Sequence, residues 1–81
     1  MTLKQWIKSK FGDRGVAEAA RFLGYPYKTV LAWVKLDRFP RPATQEIITL
    51  KSDGQVDVNQ WRTDYLKAEQ ARKAKAWSLL F

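Results

Sequence analysis

VAEAARFLGYPYKTVLAWVK, residues 16–35, sets two amphipathic segments on either side of a single glycine. Two short helices joined by a tight turn and crossing at a steep angle make three demands on sequence. The first helix needs a small residue where the second crosses it, and Ala20 is there. The turn needs a residue able to take a left-handed conformation, and Gly24 stands four positions on. The second helix needs a β-branched or large apolar residue facing back, and Val30 and Trp33 follow at helical spacing. Residues 14–23 read as one helix, with Asp13 as its N-cap and Val16, Ala19, Ala20 and Leu23 as its inner face. Residues 26–36 read as the next, with Pro26 at the first helical position. Val30, Trp33 and Val34 lie on one side of it, and Tyr27, Lys28, Leu31 and Lys35 on the other. Two amphipathic helices about a glycine turn also occur in helical bundles with other roles, so the flanking sequence has to decide.

Upstream, residues 2–11 predict a helix with Leu3, Trp6, Ile7 and Phe11 on one face, a capping box from Thr2 and Gln5, and a stop at Gly12. Downstream, DRFPRP at 37–42 ends the third helix with two prolines and places Arg38 and Arg41 around Phe39. Residues 43–58 admit two readings: a short helix capped by Gly54, or a hairpin turning at Ser52-Asp53-Gly54. Residues 57–78 predict a last helix with Val58, Trp61, Tyr65 and Ala68 on one stripe. The expected fold is therefore mainly α, a compact helix-turn-helix domain of about five helices. The alternative is α+β, with a hairpin over about 46–58. The chain divides into a helix-turn-helix domain, 1–58, and a C-terminal helix with an apolar tail, 59–81, as a possible dimerisation element.

Bulk composition narrows the function. The 81 residues carry 15 basic and 8 acidic side chains, a net charge of +7. Residues 1–41 hold nine basic and three acidic side chains, or +6, leaving +1 for the rest. A bias confined to the half that holds the two-helix motif points to a polyanion there. Cysteine and histidine are both absent, which removes disulfides, thiolate metal sites and the usual general base. With no phosphate-binding glycine loop and no acidic cluster, neither an enzyme nor a bound cofactor or metal is expected. Lys4, Lys8 and Lys10 break any leading apolar run, and no stretch approaches the ~20 apolar residues of a membrane span. A cytoplasmic protein is the expectation.

Residues 2–61 resemble a small phage or prophage Cro-type repressor. TLKQWIKSKFG resembles the opening helix of that family, GVAEAARFLGYPYKTVLAWV its helix-turn-helix, and EIITLKSDGQV the segment that follows. The resemblance is specific over the first 35 residues and loose after 42. In the family the later segment is a hairpin in some members and helical in others; Gly54 and Val56, with Trp61 behind them, favour the helical form. The resemblance implies a dimer that binds operator DNA and blocks a promoter. From Val16 to Tyr65 the chain also resembles excisionase-like winged-helix proteins, through KTVLAWVKLDRFPRP and DVNQWRTDYL, and an antitoxin-like regulator has a similar build. Those readings imply architectural DNA binding instead.

Position on the third helix singles out Tyr27, Lys28, Leu31, Ala32 and Lys35 for the groove. Lys28 can reach guanine O6 or N7, or a phosphate; Lys35, further along, suits a phosphate better. Leu31 and Ala32 suit a thymine methyl, although Leu31 equally suits the core, and Tyr27 a core edge. Arg14, Thr29, Arg38 and Arg41 are placed for phosphates, with solvated surface charge as the alternative for each arginine. The corresponding family positions are commonly Gln, Ser or Asn. Here Pro26, Leu31 and Ala32 replace them, which shifts readout toward methyl contacts and DNA shape.

Overall fold

The computed structural model describes residues 1–80, with side chains through Lys75. Five helices follow one another: α1 (Leu3–Phe11), α2 (Val16–Leu23), α3 (Tyr27–Val34), α4 (Pro42–Lys51) and α5 (Val58–Leu80). No strand occurs among the described residues. The hairpin alternative over 46–58 is thus overturned. Ile47, Ile48 and Leu50 do not alternate as a half-buried strand requires, and on a helix Ile48 alone turns fully into the core. Pro42 starts α4 at a position where its missing N–H costs nothing.

Each end of the helices has a local cause. Thr2 and Gln5 form the expected capping box at α1. Asp13 does not cap α2. The helix starts later, with Gly15 as N-cap, and Asp13 instead lies 3.8 Å from Lys8 Nζ. Gly15 is needed there because a Cβ would come within 2.3 Å of Phe11 Cβ, so the end of α1 and the start of α2 touch through backbone. Gly24 takes the left-handed conformation, φ 84°, and its N–H and that of Tyr25 both donate to the Ala20 carbonyl. Lys51 of α4 reaches back to cap the same helix end, its Nζ 2.9 Å from the Leu23 carbonyl oxygen. Pro26 sits one position outside α3, as its N-cap.

The ends of α3 and α4 use Schellman geometry with a non-glycine residue in the left-handed position, so at α4 the expected cap Gly54 stands one residue further on, as the donor of the closing hydrogen bond. At α3, Leu36 has φ 62°, its N–H donates to the Trp33 carbonyl, and the Asp37 N–H donates to that of Ala32. At α4, Asp53 has φ 54°, with its N–H donating to Leu50 and that of Gly54 to Thr49. Aspartate tolerates this conformation; a leucine in it costs about 1–2 kcal/mol. Leu36 offsets part of that by packing against the core.

A single core joins all five helices: Leu3, Trp6 and Ile7 from α1, Ala19, Ala20 and Leu23 from α2, Val30 and Trp33 from α3, Ile48 from α4, and Trp61 from α5, with Val56 between. Aromatic rings continue it from α3 to α5, with Trp33–Trp61 centroids 6.3 Å apart, Phe39–Trp61 5.0 Å and Phe39–Tyr65 5.5 Å. A division of the chain at residue 58 therefore meets no break in packing. Ser52, the one buried polar residue among those described, is satisfied: its Oγ donates to the Thr49 carbonyl and accepts from the Val56 N–H. Asp57 caps α5 by accepting from the Asn59 and Gln60 N–H groups. The apolar run Trp77-Ser78-Leu79-Leu80-Phe81, for which a dimerisation element is one of the readings, lies outside the described side chains.

Candidate nucleic-acid interface

Helix α3 buries Val30 and Trp33 and turns its other side outward. Tyr27, at its first position, is 50% exposed, so it is not a core edge. Leu31 and Ala32 are half-buried, and Leu31 does not pack against the core. Lys28 is exposed, as is Lys35, which stands just past the end of the helix as its C-cap.

The expected contact residues meet on one surface. Lys28, Thr29, Ala32 and Arg38 line a shallow open depression. Thr29 and Arg38 also line its neighbour, with Arg41 and Thr44. Five of the nine residues singled out in the sequence are thus contiguous across α3 and the α3–α4 loop. Tyr27, Leu31 and Lys35 continue the same helix face. Arg14 is exposed on the turn ahead of α2 and lines neither depression. Thr44 was not foreseen from the sequence; the proline at the start of α4, which brings its first turn beside Arg41, is the only signal that pointed there.

Charge on this surface is uncompensated. Among the described residues, ion pairs join Lys8 to Asp13, Arg72 to Asp37 and Lys73 to Glu69, and none involves Arg14, Lys28, Lys35, Arg38 or Arg41. Asp37 is the one acidic residue between Glu18 and Glu46, and Arg72 of α5 stands 3.9 Å from it.

Helix ends show a matching division. Side chains cap α1, through Thr2, and α5, through Asp57. No side chain caps α2, α3 or α4, whose N-cap residues are Gly15, Pro26 and Arg41. Backbone N–H groups at such ends, with the positive end of the helix dipole, suit an anionic partner.

The loop that carries Arg38 and Arg41 is held from both sides. Phe39 sits against Trp61 and Tyr65, with the Arg62 guanidinium 5.6 Å from its ring centroid. Gln45 Nε2 donates to the Pro40 carbonyl at 2.8 Å, and Arg62 donates to Gln45 Oε1 at 3.0 Å. Arg72 donates to the Leu36 carbonyl at 2.9 Å. Apart from Gln45 to Pro40, five residues apart, these loop contacts join residues distant along the chain and were not legible in the sequence.

Among the described residues there is no group of three or more carboxylate side chains that could hold a metal ion, and no helix is long and apolar enough to cross a membrane. Comparison with models of known families, with curated proteins and with solved structures finds no match.

Proposed function

We propose that this chain is a sequence-specific double-stranded DNA-binding protein, a Cro-type transcriptional repressor of phage or prophage character that acts in the cytoplasm. The observation that carries this reading is the contiguity of Lys28, Thr29, Ala32, Arg38 and Arg41 on the outward side of a two-helix motif. An unpaired positive charge set, three helix N-termini without side-chain caps, and the Ala20–Gly24–Val30 spacing support it.

In this reading α3 enters the major groove. Lys28 donates to guanine O6 or N7, Leu31 and Ala32 meet thymine methyl groups, and Tyr27 and Lys35 flank them. Arg14, Thr29, Arg38 and Arg41 hold phosphates and fix the register, and Thr44 adds a hydroxyl beside Arg41. The protein binds as a homodimer on half-sites about 34 Å apart, one turn of the duplex. Bound at a promoter it excludes polymerase, and it catalyses nothing. An excision factor of winged-helix type would need a hairpin over 46–58, where the second half of α4 and the turn into α5 stand.

Titration of the purified protein with a duplex from its own promoter region, and with an unrelated duplex, across a salt series tests this. Each phosphate contact contributes about 0.9 to the log–log salt slope, so Arg38→Ala and Arg41→Ala should each lower the slope by about that amount. A large preference for the promoter duplex at moderate salt is expected. Equal binding to both duplexes would leave only a DNA-coating role, and absence of binding at low salt would refute the proposal.

A further inference from the structure

We propose that Arg72, far along α5 and outside the helix-turn-helix, is a positioning residue for DNA contact. It fixes the α3–α4 loop so that Arg38 meets the phosphate backbone, and it neutralises Asp37 beside that contact. The inference rests on the DNA-binding reading above.

Three observations converge on Arg72. Its NH1 donates to the Leu36 carbonyl at 2.9 Å and lies 3.9 Å from Asp37 Oδ1. Its guanidinium is 6.0 Å from the centroid of Tyr65, whose ring packs on Phe39 of the same loop. Leu36, the residue it holds, has φ 62°, a conformation that few leucines adopt and that sets where the chain leaves α3. Arg38 follows two residues later, between Leu36, held by Arg72, and Phe39, held by Trp61 and Tyr65. The direction in which Arg38 projects is therefore decided in part by a side chain 34 positions away in sequence.

Charge adds a second consequence. Asp37 adjoins Arg38 and is the sole carboxylate of the α2–α4 stretch between Glu18 and Glu46. With Arg72 in place its charge is offset. With Arg72 removed, an uncompensated negative charge would stand one residue from Arg38 and weaken the attraction of that segment for a phosphate. Arg72 itself is half-exposed, and its guanidinium is turned to the loop carbonyl and carboxylate.

The test is a double-mutant cycle on the promoter duplex, with Arg72→Ala and Arg72→Gln made in the full chain and in an Arg38→Ala background. Arg72→Ala is expected to weaken binding about 5–10-fold in the wild-type background and less than about twofold in the Arg38→Ala background, because the two residues act through one contact. Arg72→Gln keeps an N–H donor for the Leu36 carbonyl and should recover part of the loss. Asp37→Asn should restore part of the affinity to Arg72→Ala. In the free protein, amide exchange at Asp37 and Arg38 should speed up in Arg72→Ala, and less in Arg72→Gln, at an unchanged melting temperature, a readout independent of DNA.

Unchanged affinity and unchanged loop exchange would overturn the inference while leaving the DNA-binding reading intact. An equal loss in both backgrounds would also overturn it, since that is the signature of a direct phosphate contact by Arg72. A wild-type protein that binds no duplex would overturn both.

Discussion

Gly15 shows how narrow the tolerance of this small fold is at single positions. A Cβ there would lie 2.3 Å from Phe11 Cβ, and neither backbone can retreat without moving α1 from α2. Gly15→Ala should therefore cost about 1–3 kcal/mol, read as a lowered midpoint in urea denaturation. Gly24 differs in kind. A Cβ there meets only Lys51 Nζ at 3.5 Å, so its requirement comes from φ 84° rather than from space. The sequence announces Gly24 through its spacing from Ala20 and Val30. It gives no such signal for Gly15, because the clash depends on how α1 and α2 are set. In the proposed complex, Lys28 is the residue assigned to base readout. Lys28→Ala should narrow the gap between promoter and unrelated duplexes by about 1–3 kcal/mol, roughly 5–150-fold. A uniform loss on both duplexes, with a reduced salt slope, would assign Lys28 to a phosphate instead.

Among the elements, those that declare themselves locally were legible and those fixed by distant partners were not. The first three helices follow from periodicity, a capping box and a glycine turn, all within a few residues. Asp13 misled because a good capping residue stood two positions too early; the approach of Phe11 to Gly15 sets the start of α2. Residues 43–58 stayed open because β-branched residues favour a strand locally, while the burial of Ile48, Val56 and Trp61 in a common core favours the helix. The site divides the same way. The outward face of α3 was read from helix geometry, whereas Thr44 and the bracing of the loop by Gln45, Arg62 and Arg72 arise only in three dimensions. Within α5, Lys73 Nζ stands 2.9 Å from Glu69 Oε1. That hydrogen bond and charge, with the neighbouring Tyr65 acting in the same sense, hold the Glu69 carboxyl below the ordinary glutamate value of 4.5. A carboxyl whose pKa is depressed on folding stabilises the fold above its unfolded pKa and loses that contribution as pH falls through its folded value. An NMR titration should thus give Glu69 a midpoint below 4.5, and Lys73→Ala should return it upward.

On the scale of the whole molecule, one core and one face organise the chain. The core runs through α5, so a fragment ending at Val58 loses Trp61, which is 1% exposed and packs on Trp33 and Phe39. Removing a buried tryptophan costs about 3–5 kcal/mol, a large part of the stability of a domain this size. The fragment 1–58 should show no cooperative melting by circular dichroism; a sharp transition near that of the full chain would contradict the shared core. The face is the outward side of α3 with the loop that follows, and Trp33 and Phe39, which tie that region to α5, line its edge beside Arg38 and Arg41. Amide chemical-shift mapping of the isotope-labelled protein, as promoter duplex is added at low salt, tests this account most directly. The largest shifts are expected on Tyr27–Lys35 and Arg38–Thr44, with α1 little changed. No shifts at all, or shifts centred on α1 and leaving Lys28, Ala32 and Arg38 untouched, would contradict it.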